Sequence, residues 1–386
     1  MIKIKEKKNC NGCHACMSIC PTNCIAMEED TEGFWYPKAD NKECIKCRRC
    51  IEICPLINKL SHDNPNEFLN AYACKNKDEN IRIESSSGGI FSLLAEEILN
   101  KGGVVFGAGF DSEFYVRQQY TENKEHLGKL RGSKYVQSKI GETYKQVRSL
   151  LLQNRRVLFS GTPCQIGGLK SYLGQTYSNL LCVDFICHGV PSPTVWNRYK
   201  HYLEKRLGSP LKKFNFRSKE KGWQDFSVYA KFNNNKEYSK THKQDIFMRA
   251  FLRDICLRPS CHDCGFKTIN RESDITLADF WGIQNVIPEM NDNKGTSLIW
   301  TNSEYGERTV NLIREKIELS VIDLNKAIQY NSAAIKSSIA HKNREDFFID
   351  LNNNSFEKVV KKYCFEPFHI EVLKAIKRKI ISLIKT

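Results

Sequence analysis

Two cysteine runs of the same spacing lie within the first 55 residues: Cys10-x2-Cys13-x2-Cys16-x3-Cys20-Pro21 and Cys44-x2-Cys47-x2-Cys50-x3-Cys54-Pro55. No other feature of the chain constrains its folding as strongly. Each run places three thiols on one tight loop and a fourth on the helix beyond it. This is the spacing with which paired four-iron clusters are held, the fourth cysteine of each run crossing to the other cluster. Cys10, Cys13, Cys16 and Cys54 are therefore expected to hold one [4Fe-4S] cluster, and Cys44, Cys47, Cys50 and Cys20 a second. Four-thiolate zinc favours two separated CxxC pairs, a different pattern. Cys24 stands outside the runs and reads as a buried spare thiol. Gly12 and Gly33 relieve backbone crowding, and Trp35-Tyr36-Pro37 reads as a hairpin over one cluster.

Nine of the 17 cysteines precede residue 55, and in a reducing compartment they need an explanation other than disulfides. No apolar stretch approaches the roughly 20 residues of a spanning helix, and no signal-peptide apolar region follows the charged start Met1-Ile2-Lys3-Ile4-Lys5-Glu6. A cytoplasmic chain is expected. A hydrophobic content of 41% is enough for a sizeable core and excludes wholesale disorder. The formal charge of +15 falls by about six if three clusters bind. The chain stays basic, which suits an anionic coenzyme, an acidic redox partner, a membrane surface or nucleic acid. No nucleic-acid recognition motif accompanies the charge, and nucleic acid is not expected as a partner.

Residues 1–60 thus read as a two-cluster ferredoxin-type domain, a conduit for single electrons that needs a second centre to supply chemistry. Ser61-His62-Asp63-Asn64-Pro65-Asn66 is polar and breaks regular structure, so 61–80 is taken as linker and the start of a large domain. An α/β pattern follows. Ile90, Phe91, Leu94, Ile98 and Leu99 recur at helical spacing after the Gly-rich Ser87-Gly88-Gly89. Strands are expected at Val104 to Phe110, Val157 to Phe159, Leu180 to Cys187, Phe214 to Arg217, Phe226 to Phe232, Glu237 to Ser239, Ile275 to Asp279 and Leu298 to Thr301. Helices are expected from Pro163 to Leu173, Pro193 to Leu207 and Glu304 to Ile317. Ser87-Gly88-Gly89 and Gly161-Thr162-Pro163 each sit where a loop enters a helix, a place that offers free backbone N–H groups to a phosphate and equally serves as a plain turn. Neither is the GxGxxG fingerprint.

Four further cysteines stand out. Cys261-x2-Cys264 follows Arg258-Pro259-Ser260, and Cys164 and Cys187 each come just after a predicted strand. Together they can supply four thiolates; a zinc site or buried thiols fit the spacing as well. Cys256 is an alternative fourth ligand. His188 reads as a proton donor or as a packed polar residue, and Arg217 and Lys219 as an anion-holding pair or a basic strand end.

These motifs occur in a recognisable order. After the two-cluster unit come Ser86-Ser87-Gly88-Gly89-Ile90-Phe91, Arg131-Gly132-Ser133-Lys134-Tyr135-Val136-Gln137, Gly161-Thr162-Pro163-Cys164-Gln165 and Cys187-His188-Gly189-Val190-Pro191-Ser192-Pro193. Phe216-Arg217-Ser218-Lys219, Arg258-Pro259-Ser260-Cys261-His262-Asp263-Cys264 and Asp274-Ile275-Thr276-Leu277-Ala278-Asp279-Phe280-Trp281-Gly282 complete the set. From Cys10 to Phe348 the chain resembles the coenzyme F420 hydrogenase/dehydrogenase beta subunit family, in its bacterial ferredoxin-fused form. The resemblance implies an iron–sulfur flavoprotein in which FAD mediates between one-electron clusters and two-electron chemistry. It implies a flavin site lined by Ser87, Gly88, Gly89, Ser133, Lys134, Tyr135, Gly161, Thr162 and Pro163. It implies a third [4Fe-4S] cluster on Cys164, Cys187, Cys261 and Cys264. Lys134 would offset flavin charge, and Lys134 and His188 are the catalytic candidates.

The expected fold is α+β: a small two-cluster ferredoxin-like domain followed by a larger mixed α/β flavin-binding domain over 81–348, with a helical, basic tail at 349–386. The expected activity is an oxidoreductase passing electrons between its clusters, a flavin and an organic substrate or deazaflavin-like coenzyme, served by a redox partner protein. The alternative is a non-catalytic subunit that feeds a separate enzyme. In the tail, Leu373, Ile376, Ile380, Leu383 and Ile384 share one helical face among Lys374, Lys377, Arg378, Lys379 and Lys385, a pattern suited to peripheral membrane contact or to docking on its own domain.

Overall fold

The computed structural model describes residues 1–58 and 70–365. The linker motif at 61–66 and the amphipathic segment from Leu373 to Lys385 lie outside them. The N-terminal part is built around the helices α1 (Ala15–Ser18) and α2 (Arg49–Glu52) and an antiparallel hairpin of β1 (Ile25–Glu29) and β2 (Trp35–Ala39). The hairpin expected around Trp35 is present.

The chain then runs β3 (Ala71–Asn76), α3 (Glu79–Glu84), α4 (Ile90–Leu99), β4 (Val104–Phe110), β5 (Val116–Thr121) and α5 (Thr143–Leu152). After these come β6 (Val157–Ser160), α6 (Pro163–Leu173), β7 (Leu180–Phe185) and α7 (Pro193–Leu207). The antiparallel β8 (Leu211–Ser218), β9 (Ser227–Phe232) and β10 (Glu237–Thr241) form a small separate sheet, followed by α8 (Ile246–Leu252). β11 (Ile275–Asp279), β12 (Ser297–Thr301), α9 (Glu304–Leu312), β13 (Ile317–Ile322), α10 (Leu324–Ile328), α11 (Arg344–Asn353) and α12 (Phe356–Cys364) complete the chain.

Eight strands make the main sheet in the order β13-β3-β12-β11-β7-β6-β4-β5. The β4–β6, β6–β7 and β7–β11 pairs are parallel, and the outer pairs antiparallel. The central strands read as continuous apolar runs because helices cover both faces; Val157, Leu158 and Phe159 of β6 are fully buried. Caps fix the helices that matter for the site. Gln165 accepts the Thr162 N–H at the start of α6, where Pro163 takes the first turn, and Ser192 accepts the N–H groups of Thr194 and Val195 at the start of α7. The small sheet, α7, α8, α11 and α12 enclose a second core containing Trp196, Phe216, Phe247, Phe347 and Val360.

The helix expected from Glu304 to Ile317 stops at Leu312. Beyond a short turn, Ile317 opens β13, which pairs with β3 along its length, so strand pairing overrides the helical period. No helix among the described residues is long and apolar enough to cross a membrane.

Candidate functional site

In the two N-terminal loops, left-handed backbone alternates with the cysteines: Gly12 and His14 in the first, Lys46 and Arg48 in the second, all with φ between 57° and 65°. These turns wrap each loop around its thiols. Burial pushes the thiols of Cys10, Cys13 and Cys16 up, Cys13 to about 12, and in all three the charge of Cys54 adds to the rise. Cys54 therefore stands near Cys10, Cys13 and Cys16, and these four make a first candidate set taken from both runs. Cys20, Cys44, Cys47 and Cys50 line a second hollow. Cys24 lines it too, its Sγ 3.4 Å from that of Cys20. Expected as a spare thiol, it is buried but stands beside the second set, a proximity that linear spacing does not reveal.

Cys164, at the second residue of α6, Cys187, just past β7, and Cys261 and Cys264, on the turn at Pro259–Asp263 and its end, line a single cavity with His188, Asn11, Arg258, Lys267 and Arg271. Burial raises the Cys164, Cys187 and Cys261 thiols, Cys187 to about 11 and Cys261 to about 12, and neighbouring thiols of the same set add to each. Val190 donates its N–H to Cys261 Sγ at 3.4 Å. Three cations and no carboxylate line the cavity. Arg271 has the buried Asp184 at 3.7 Å, whereas Arg258 and Lys267 donate to carbonyls and an amide, and four thiolates around a metal centre would supply the negative charge these two lack. The donor set therefore fits a thiolate-held metal centre. Cys256 is fully buried in the apolar core, in the electrostatic company of Cys364, and does not line this cavity.

The first and third sets are adjacent. Asn11, between Cys10 and Cys13, reaches the third cavity. Gly168 lies four residues beyond Cys164 on α6, about 6 Å along the helix. A Cβ on Gly168 would fall 2.9 Å from Cys13 Cβ and 3.0 Å from its Sγ, so glycine permits this approach. Gly12 does the same on the other side: a Cβ there would meet Gln137 Nε2 at 2.7 Å and Arg258 Nη1 at 2.9 Å.

The remaining motifs gather at the C-terminal ends of the parallel strands, the edge where sheets of this type collect ligands. Ser87-Gly88-Gly89 packs on the end of β3: the Gly88 N–H donates to Ser297 Oγ, and a Cβ on Gly88 would be 2.4 Å from the Cys74 carbonyl oxygen. Gly89 (φ 83°) starts α4 without a side-chain cap. The Ser133 N–H and Oγ both donate to Ser86 Oγ, at 2.7 and 2.9 Å. Tyr135 stacks on Phe251 with centroids 4.8 Å apart and accepts from Arg217. Gly161-Thr162-Pro163 joins this segment through Gln165, whose Nε2 donates to Ser138 Oγ. His188 bonds Asp254 at 2.6 Å and also meets Phe251, edge to face, with ring centroids 5.2 Å apart.

Three cations singled out from the sequence are committed internally. Lys219 Nζ donates to the carbonyls of Arg82, Ser87 and Lys294, Arg217 pairs with Asp279 at 2.9 Å, and Lys134 Nζ donates to the carbonyls of Lys129 and Arg131. They brace the loops. Phe251, Asp254 and Asp279 were not expected at the site; Asp279 lay within a quoted motif, while the first two carry no local signal.

Residues 154–327 match the family model for the C-terminal part of the coenzyme F420 hydrogenase/dehydrogenase beta subunit, and residues 9–56 match the 4Fe-4S dicluster domain. No curated protein matches the chain. Among solved structures, the chain is similar to one in the xenon-derivatised F420-reducing [NiFe] hydrogenase complex of Methanosarcina barkeri. Identity is 15% and the TM-score 0.48, covering 76% of this chain and 96% of that one.

Proposed function

We propose that this chain, which belongs to the coenzyme F420 hydrogenase/dehydrogenase beta subunit family and carries a 4Fe-4S dicluster domain at its N-terminus, is an iron–sulfur flavoprotein oxidoreductase acting on an organic substrate or deazaflavin-like coenzyme. One observation carries the reading: a third four-thiol cavity, ringed by Arg258, Lys267 and Arg271, lies beside the first set and below the loops at the sheet edge. When bound, iron–sulfur clusters exchange single electrons and a flavin links them to two-electron chemistry.

The crossed sets Cys10, Cys13, Cys16, Cys54 and Cys20, Cys44, Cys47, Cys50 would hold the two ferredoxin-type clusters, and Cys164, Cys187, Cys261, Cys264 the third. Ser87, Gly88, Gly89, Ser133, Tyr135, Gly161, Thr162 and Pro163 would hold FAD, with the uncapped start of α4 favourable to phosphate. His188, oriented by Asp254, is the chain's candidate for holding a proton near that edge. Lys134 points to carbonyls and is better suited to holding its loop.

Anaerobic purification should yield about twelve irons per chain and one non-covalent flavin, with turnover of an organic acceptor by the isolated chain. Full iron without flavin would refute the flavoprotein reading. The internal commitment of Lys134, Arg217 and Lys219 favours a second reading, an electron-transfer subunit serving a separate enzyme; reduction by partner proteins alone would support it.

A further inference from the structure

We propose that the surface around Cys47 carrying Lys42, Ile45, Lys46, Arg48 and Arg49 is the docking face for an acidic one-electron carrier protein. This rests on the reading that the second thiol set holds an iron–sulfur cluster. Cys47 of that set is the exposed member of the 17 cysteines. The first set faces inward, with Gly12 against Gln137 and Arg258 and Cys13 against α6. A protein approaching from solvent therefore meets the second set first.

Beside Cys47 the loop presents Ile45, 64% exposed, among exposed cations. Lys42, Lys46, Arg48 and Arg49 are exposed, with Glu43 and Glu52 the acids among residues 41–58. None of the four has an ion-pair partner among the described residues. Other lysines of the same module do: Lys7 pairs with Asp30 and Lys38 with Glu28. Exposed cations without an ion pair among the described residues, set around an exposed isoleucine, suit an anionic protein. A second copy of the chain would set the same positive rim against itself. Single-stranded nucleic acid binds on aromatic platforms, and residues 41–58 contain no aromatic residue. In the docked pair one electron leaves the reduced carrier and one is gained at the second centre, with no bond or proton moved.

The test uses the iron-loaded full chain under anaerobic conditions and an acidic bacterial two-cluster ferredoxin as probe. Binding to the oxidised ferredoxin is measured by calorimetry at low and high NaCl, and reduction of the chain by the reduced ferredoxin by stopped flow. Lys42→Glu/Arg49→Glu should weaken binding about tenfold or more at low salt, and Lys42→Ala/Arg49→Ala should weaken it less but measurably. Both should slow reduction by ferredoxin while leaving reduction by methyl viologen unchanged, and salt should weaken wild-type binding. Undiminished ferredoxin binding in both iron-replete variants would overturn the docking face while leaving the cluster assignment intact. A wild-type dimer that dissociates on charge reversal would also overturn it, assigning the face to a second copy. A wild-type chain whose second set takes up no iron would overturn both readings.

Discussion

Arg258 is fully buried, yet none of its hydrogen-bond partners is a carboxylate. It donates from Nε to the Cys10 carbonyl at 2.8 Å, from Nη1 to Gln137 Oε1 at 3.1 Å and from Nη2 to the Trp35 carbonyl at 3.0 Å. Its guanidinium lies 4.3 Å from the Tyr36 ring centroid. A buried cation without a counter-ion costs several kcal/mol, and under the proposed assignment the thiolate centres on either side would supply the compensating charge. Its field acts to lower the thiol pKa values of Cys10 and Cys13 in one set and of Cys261 in the other. A unit charge about 6 Å away at an effective dielectric of 20 contributes about 3 kcal/mol, roughly 120 mV for one electron. A cation favours the added electron, so Arg258→Gln should lower the midpoint potentials of the first and third centres by about that order and leave the second nearly unchanged. Arg258→Lys, which keeps the charge, should restore most of the shift. Anaerobic redox titration followed by EPR measures this. An iron-replete Arg258→Gln variant with unchanged potentials would refute the argument.

Cys13→Ala should lose one ferredoxin-type cluster and keep the flavin, and Cys261→Ala and Cys264→Ala should each lose the third cluster, while Cys256→Ala keeps full iron; iron analysis with EPR decides each case. Gly168→Ala should destabilise the chain by about 1–3 kcal/mol in urea unfolding, because the new methyl group overpacks against Cys13. Burial lowers Lys134 to about 7 from its ordinary 10.5. Between those values the unfolded chain holds more protons than the folded one, so stability should climb as pH rises from 7 to 10. Lys134→Met should flatten that rise, and urea midpoints that keep the full wild-type slope would count against it.

Cysteine spacing made the N-terminal pairing legible because thiols bound to one cluster must sit at fixed offsets on tight loops. The third set was legible only as four candidates, since Cys164, Cys187 and the Cys261–Cys264 pair meet through sheet topology, which no local pattern encodes. β3 escaped notice because Ala71-Tyr72-Ala73-Cys74-Lys75-Asn76 is buried throughout and shows neither alternation nor a strong apolar run. β5 is polar, with Arg117, Gln118 and Gln119 at its centre. Both strands are fixed by their neighbours. Arg217 and Lys219 were read as an anion-holding pair or a basic strand end because charge is visible in a sequence, whereas the carbonyls and the carboxylate that engage them belong to distant segments.

The contact between the N-terminal hairpin and the large domain bears on how the protein is matured. It is part polar and part apolar: Arg344 grips Glu32 through both nitrogens, Thr194 donates to Glu29 and Ser192 to the Glu32 carbonyl, while Phe34 is fully buried against Phe348, ring centroids 6.4 Å apart. Behind it, Cys13 is pressed against Gly168 and Cys10 is tied to Arg258. With the seam shut, an iron-delivery protein meets Cys10 and Cys13 behind these contacts, so metal would reach the first set more easily before the halves close. Parting the seam would expose Phe34 as well as break the ion pairs and hydroxyl contacts, which favours loading before closure. The same hinge would govern repair after oxygen damage, with the outer centre replaced in place and the inner pair more easily when the seam opens.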